Sequence, residues 1–167
     1  MSSEDHATGL DVAAGRGLEG FGPRSWATPE VTGIGRVPMS TYLDRPDVVS
    51  LDGTWSFVLR DRPEAVTADD LTGPTDGWSR VEVPGCWTMQ GHDRPQYTNI
   101  QMPFPGPPPS VPHDNPTGVH RTTVTLPATW VGQRLVLHVG GAETVLYVHV
   151  DGRPVAMGKD SRLPHEV

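Results

Sequence analysis

The stretch Thr144–Met157 reads TVLYVHVDGRPVAM and contains two apparent strands with a turn between them. Its first half, Thr144–Val150, is apolar at nearly every position, which predicts a central strand covered on both faces at one end. The dipeptide Asp151-Gly152 favours a type I′ turn, in which both residues need a positive φ. Residues 153–157 would then return beside the first strand. The stretch therefore predicts an antiparallel β-hairpin.

Alternation of apolar and polar residues predicts four more strands before this hairpin. They fall at residues 51–60, 78–83, 119–126 and 134–139. Pro63–Leu71 predicts a turn or two of helix at most. Short strands separated by turn signals, with no convincing helix, predict an all-β fold, an antiparallel β-sandwich.

The last five residues, Leu163–Val167, look like the entry to another strand. A sandwich without its last strand exposes unpaired N–H and C=O groups along one edge. We therefore expect a C-terminally truncated sandwich, and a chain that is the front piece of a longer protein.

A long proline-rich segment, Gly85–Gly118, interrupts the strands. Eight prolines fall between Arg94 and Gly118, which excludes a helix interior or a central strand there. Aromatic and methionine side chains are interleaved with them, and disordered segments are usually poor in such residues. We expect an ordered loop pinned by aromatic residues; a surface linker is the alternative.

Composition bounds the class of protein. The 167 residues suit about one domain, and a net charge of −7 argues against a nucleic-acid binder, which needs a basic face. The chain contains one cysteine, which excludes an internal disulfide, and it has no apolar stretch of membrane-spanning length. The acidic N-terminus lacks a signal-peptide pattern, so we expect a cytoplasmic protein that contacts no membrane.

The N-terminal region is rich in glycine and poor in large apolar residues. We expect residues 1–44 to form a partly disordered tail and docking segment, ordered only against something outside the domain, and residues 45–167 to form the sandwich. The anchors of the N-terminal region would be Trp26, Val31 and Ile34. The G-x-G-x-x-G at Gly15–Gly20 does not predict a dinucleotide site, because no strand and helix flank it.

No complete catalytic apparatus is visible in the sequence. The histidines of the predicted strands, His120, His138 and His149, are expected to face solvent or form hydrogen bonds rather than bind metal. Cys86 is expected to be a small buried apolar residue, since no basic neighbour would lower its pKa. The seven histidines stand at positions 6, 92, 113, 120, 138, 149 and 165.

Two polar residues have the chemistry to bind a sugar. Asn99 lies among aromatic residues, and its side chain both donates and accepts, as sugar hydroxyls require. Asp160 follows the hairpin in a turn, where a carboxylate oxygen could accept from hydroxyls or bind a hard cation. The alternative for both is turn chemistry, in which the side chain bonds its own backbone.

Several motifs together resemble the N-terminal sugar-binding domain of glycoside hydrolase family 2, specifically the lac-type β-galactosidases. The strand motif at 50–57 also occurs in β-glucuronidases and β-mannosidases, whereas the loop motifs at 97–100 and 111–118 point to β-galactosidase. The motifs are WATPEVT (26–32), SLDGTWSF (50–57), VPGCWTMQG (83–91), YTNI (97–100), VPHDNPTG (111–118) and GKDSRLP (158–164).

The resemblance implies a jelly-roll sandwich that packs on a catalytic barrel absent from this chain. It implies that Asn99 and Asp160 bind galactose and that Asp160 also binds Na⁺. The catalytic glutamates of a retaining glycosidase and the Mg²⁺ ligands would lie in the barrel, so this chain alone would be inactive. The full-length enzyme would be a homo-oligomer acting on β-galactosides such as lactose.

Two other functions remain open from the sequence. The chain could be a stand-alone, lectin-like carbohydrate-binding module, because a sandwich with an aromatic-lined loop suits that role. It could also be a purely structural interaction domain.

Overall fold

A computed structural model describes residues 17–22, 24–37, 47–96, 104 and 106–167, apart from the side chain of Glu19. In these ranges, eight strands form three antiparallel sheets beside one short α-helix, α1 (Ala68–Thr72). The predicted all-β, antiparallel fold is confirmed. The strands are β1 Gly33–Ile34, β2 Gly53–Arg60, β3 Ser79–Val83, β4 Thr117–Arg121, β5 His138–Val139, β6 Val145–Val150, β7 Arg153–Lys159 and β8 His165–Glu166.

The predicted hairpin is the β6–β7 pair. Asp151 and Gly152 have φ values of 50° and 74°, as a type I′ turn requires, and Val150 pairs with Arg153 across it. The strand order in this sheet is β1-β7-β6. The prediction that Thr144–Val150 is central was wrong: within the described residues β6 is an edge strand, because β1 pairs with the other side of β7.

The second sheet has the order β3-β2-β4. The strand predicted for residues 51–60 is confirmed as β2, in which Phe57 is only 1% exposed. Both outer strands are antiparallel to β2, and β3 and β4 are therefore parallel to each other. Parallel strands need a long crossover connection, and the proline-rich segment is that connection.

The third sheet pairs β5 with β8, so the strand expected at Leu163–Val167 is present as β8. Leu137 and Val167 exchange two backbone hydrogen bonds beside it, at 2.8 and 3.0 Å. The strands predicted at 119–126 and 134–139 are much shorter than expected. Residues 122–137 are mostly exposed, and no described strand pairs with them to cover their apolar side chains.

The polar segment after β2 forms a 3-10 turn, Pro63–Ala65, and then α1, as predicted. Thr67 caps α1, and its hydroxyl accepts from the Asp70 N–H at 3.2 Å. Asp70 is buried and paired with Arg60. Burial opposes ionisation of Asp70, but hydrogen bonds from Arg60 and Thr67 outweigh it and lower the pKa of the carboxyl.

The N-terminal residues are part of the core. Leu18 and Trp26 cluster with Val66 and with Val119 of the second sheet, and Tyr147 of the first sheet packs against the cluster.

No described helix combines the length and apolar character that a membrane span needs.

A second aromatic contact fixes the same region to the first sheet. The Phe21 ring lies 5.0 Å from that of Tyr147 and 5.2 Å from that of His149. The Ser25 and Tyr147 hydroxyls are hydrogen bonded at 2.6 Å. The N-terminal segment therefore joins the two larger sheets.

The expectation that this region orders only against something outside the domain was wrong for residues 17–22 and 24–35. Trp26 is an anchor as predicted, whereas Ile34 is 37% exposed and Leu18 and Phe21 are buried instead. The prediction failed because a few buried apolar side chains are enough to fix a glycine-rich segment. The boundary between residues 44 and 45 lies outside the described residues and stays a prediction.

Candidate functional site

Asp160 follows β7 directly and begins the turn that leads to β8. Its φ is 151°, a conformation that glycine adopts freely and other residues rarely. Its Oδ1 accepts a hydrogen bond from the Arg162 N–H at 2.9 Å. No described residue bonds the other carboxylate oxygen. The side chain makes the local turn contact and leaves one oxygen for a ligand.

The end of β7 is held against the N-terminal segment. The Lys159 N–H donates to the Thr32 carbonyl at 3.1 Å, and its ammonium group donates to the Thr28 carbonyl at 2.6 Å. Burial lowers the pKa of Lys159, while the charge of Glu30 acts in the opposite sense. These contacts fix the strand end that presents Asp160.

Hydrogen bonds also fix the residues that follow the Asp160 turn. His165 is 1% exposed, and its Nε2 lies 3.1 Å from the Asp160 carbonyl oxygen. The Arg36 guanidinium donates to the Pro164 carbonyl at 2.9 Å. Sequence reasoning missed the position of His165, because its burial depends on the long-range pairing of β8 with β5. The strand-like entry at Leu163–Val167 was the one signal of that pairing.

An aromatic cluster anchors the start of the proline-rich segment. The Phe57 ring lies 5.4, 4.6 and 4.8 Å from the rings of Trp87, His92 and His120. A Cβ on Gly118 would overlap Trp87, so glycine is required for this close approach. Burial lowers the pKa of His120. Trp87 pins the first turn of the segment, as expected.

Cys86 is exposed, so the expectation of a buried thiol was wrong. Its Sγ lies 3.1 Å from the Thr88 hydroxyl. Hydrogen bonds to Thr88 lower the pKa of the thiol although no basic residue is involved, and the charge of Glu143 opposes them weakly. Glu143 belongs to the connection before β6, which therefore carries a charge within electrostatic range of Cys86.

The same connection approaches the Asp160 turn. A Cβ on Gly141 would lie 3.8 Å from the Ser161 carbonyl oxygen. Gly141 therefore lies beside the Asp160 turn.

The far part of the proline-rich segment also returns to this region. It lines a cleft of about 490 Å³ together with Thr28, whose carbonyl binds Lys159. The far part of the segment thus shares a cleft with the residue that holds the end of β7. The residues lining the cleft are Arg24, Ala27, Thr28, Pro109, Ser110 and Val111.

The other strand histidines behave differently from one another. His138 lies 3.2 Å from Glu166 through its Nδ1, as the expectation of a hydrogen-bonded histidine requires. His149 is half-buried, burial lowers its pKa, and its Nε2 has no hydrogen-bond partner among the described residues. The expectation of a hydrogen-bonded histidine is nevertheless met, because a hydrogen bond with the Gly17 backbone opposes the effect of burial on the pKa.

The family model for the glycosyl hydrolases family 2 sugar binding domain matches residues 48–167. The chain belongs to this family. As a family 2 sugar-binding domain, it carries within the match both residues for which the sequence predicts sugar contacts, Asn99 and Asp160.

Bacterial β-galactosidases are similar to this family 2 chain. One from Erwinia tasmaniensis is 36% identical in an alignment of 158 positions that covers 86% of this chain and 15% of the relative. One from Psychromonas ingrahamii is 41% identical over 118 residues, 70% of this chain and 11% of the relative. One from Vibrio cholerae is 40% identical over 119 residues, 70% of this chain and 12% of the relative. The chain thus spans less than a sixth of the length of these relatives.

Asn99 lies outside the described residues, and so does the Y-T-N motif around it. Its role in this family 2 domain therefore stays a prediction, and so does its distance from Asp160.

Sodium binding was implied only by the resemblance. The described residues contain no group of three or more histidine, cysteine, aspartate or glutamate side chains that could hold a metal ion. A hard cation binds carboxylate and carbonyl oxygens, and the second oxygen of Asp160 fits as one such ligand. The remaining ligands would have to come from elsewhere, so the sodium site of this family 2 domain stays a prediction.

Proposed function

We propose that this chain supplies part of the galactose pocket of a β-galactosidase. Asp160 and Asn99 would bind hydroxyl groups of the terminal galactose, and a barrel outside this chain would supply the catalytic glutamates. The proposal combines the family membership with the local geometry of Asp160.

One observation supports this function best. Asp160 has a backbone conformation unfavourable for a non-glycine residue, at a strand end held by Thr28, which shares a cleft with the far part of the proline-rich segment. Such strain persists only where surrounding contacts impose it, and it concentrates at ligand sites. A turn with a purely structural role would be more stable with glycine at this position.

The chain's own groups would bind and orient the sugar. The second carboxylate oxygen of Asp160 would accept a hydrogen bond from a sugar hydroxyl, and charge-assisted bonds of this kind are among the stronger ones. The Asn99 NH₂ group would donate to one sugar hydroxyl, and its carbonyl oxygen would accept a hydrogen bond from another. A sodium ion held by Asp160 would polarise the hydroxyl oxygens that it binds. Retaining glycosidases cleave with two carboxyl groups about 5–5.5 Å apart, and we place that pair outside this chain.

The remaining expectations belong to the same proposal. The Mg²⁺ ligands would lie in the barrel, the full-length enzyme would be a homo-oligomer, and the protein would be cytoplasmic. The isolated chain would not turn over substrate.

Calorimetry with galactose and a chromogenic β-galactoside assay test the proposal on the 167-residue chain. A pocket with one wall should bind galactose in the millimolar range or weaker, and Asp160→Asn should weaken the binding further. Asp52→Asn, an exposed aspartate before β2, is the matched control and should not change it.

Other outcomes would contradict the proposal. Tight, saturable binding that Asp160→Asn leaves intact would favour the lectin-like module. Turnover by the isolated chain that vanishes in the double variant Asn99→Ala, Asp160→Ala would refute the claim that the catalytic carboxyl groups lie outside this chain. Absence of any galactose response would refute the sugar pocket.

A further inference from the structure

His165 makes one hydrogen bond to a described residue, and that bond goes to the backbone of Asp160. Its Nε2 lies 3.1 Å from the Asp160 carbonyl oxygen. A carbonyl oxygen can only accept, so Nε2 carries the proton and donates. The neutral ring then has Nδ1 as an acceptor, and no described residue donates to it.

This arrangement is poor for stability alone. The imidazole is 1% exposed, and a buried polar atom without a partner costs free energy. An apolar side chain would fill the same space without that cost. What the imidazole provides and an apolar side chain lacks is the N–H that reaches Asp160.

The geometry points to His165 as a positioning residue for Asp160. Its N–H fixes the Asp160 carbonyl, while the Arg162 N–H fixes Oδ1. Together the two bonds hold the strained backbone so that the second carboxylate oxygen stays open to a ligand. The inference rests on the proposed function for its ligand, and on the turn geometry for its mechanism.

Gly158 completes this arrangement. It pairs with Leu146 on one side and Gly33 on the other, in the middle of the sheet. A Cβ at this position would overlap the His165 imidazole. The ring edge that carries Nδ1 and Cε1 therefore lies against the β7 backbone two residues before Asp160, where only glycine leaves room for it.

Matched substitutions separate the N–H from the bulk of the ring. His165→Gln keeps an N–H donor near the position of Nε2, whereas His165→Leu keeps volume and removes the donor. His149→Leu removes a half-buried histidine, at the turn end of the hairpin rather than at the Asp160 end. It controls for a general loss of stability.

Two NMR readouts on the labelled chain test the inference. Without ligand, the three-bond HN–Hα coupling of Asp160 reports its φ, and His165→Leu should shift it while His165→Gln and His149→Leu should not. With galactose, His165→Leu should raise the Kd about fivefold to tenfold, the scale of one lost hydrogen bond, and His165→Gln should restore it to within about twofold.

The Asp160 coupling tests the positioning role, and the galactose titration tests the proposed function, so each can be contradicted without the other. An unchanged Asp160 coupling in His165→Leu would overturn the inference whether or not galactose binds. If His165→Leu does not fold, the ¹⁵N shifts of the wild-type ring decide: a proton on Nε2 alone supports the inference, and any other tautomer overturns it. Absence of a galactose response in the wild type would refute the proposed function, while the coupling still decides the positioning role.

Discussion

At the residue scale, the site depends on Asp160, and the sequence revealed only part of it. The local pattern predicted the turn contact, which the Arg162 N–H makes. The role in sugar binding came from the resemblance alone. The φ of 151° and the hydrogen bond from His165 could not be predicted, because both depend on β8 returning to the end of β7.

Two substitutions at Asp160 measure the backbone strain. Both Asp160→Gly and Asp160→Ala remove the carboxylate, but only glycine adopts a φ of 151° without cost. We expect the glycine variant to have the larger free energy of unfolding, by about 1–3 kcal/mol, measured by urea denaturation. Equal stabilities would show that the turn is unstrained.

Asp70 should make stability depend on acid pH. Its pKa in the folded protein is below the ordinary value of about 3.9, so its contribution is complete above that pH and is lost as pH falls through the lowered pKa. The free energy of unfolding, measured from pH 6 downward in urea, should therefore fall below about pH 4.

Asp70→Asn should flatten this dependence, and Asp52→Asn, at an exposed position, should leave it intact. A wild-type acid dependence that Asp70→Asn leaves unchanged would show that other groups cause it.

At the element scale, local turn chemistry was predictable and strand neighbours were not. Asp151-Gly152 predicted the β6–β7 turn correctly, because two residues determine its type. The same sequence did not reveal that β1 would pair with β7 and leave β6 at the edge. Alternation at residues 122–126 and 134–136 was likewise misleading, because an alternating pattern forms a strand only where a neighbouring strand pairs with it.

Two glycines with similar φ separate backbone strain from steric contact at the hairpin. Gly152 and Gly132 have φ values of 74° and 79°, but a Cβ on Gly152 would overlap Thr72 while one on Gly132 meets nothing within 4 Å. Substitution by alanine should cost about 1 kcal/mol at Gly132 from φ alone and clearly more at Gly152, measured by urea denaturation. Equal costs would mean that Thr72 moves aside freely.

At the scale of the whole molecule, the described N-terminal segment joins the two larger sheets. Composition predicted a tail because glycine dominates the region and large apolar residues are few. Those few side chains are nevertheless buried, with Leu18 and Trp26 in the cluster that includes Val66 and Val119. The overall class of fold was predictable from strand patterns, whereas this packing was not.

Trp26→Ala tests the contribution of that segment. Removing a buried tryptophan from a core should cost about 3–5 kcal/mol, seen as a lower denaturation midpoint. Val131→Ala is the control, because Val131 is 85% exposed and should change stability by less than about 0.5 kcal/mol. A small effect of Trp26→Ala would show that the sheets hold together without the segment.

The central claim is that the proline-rich segment and the Asp160 turn contribute to one sugar pocket. Titration of the isotopically labelled chain with galactose, following the Asn99 side-chain amide and the Asp160 carboxyl carbon by NMR, tests it most directly. Both signals should shift together and fit one Kd. Signals that respond with different dissociation constants, or a response of only one of them, would contradict it.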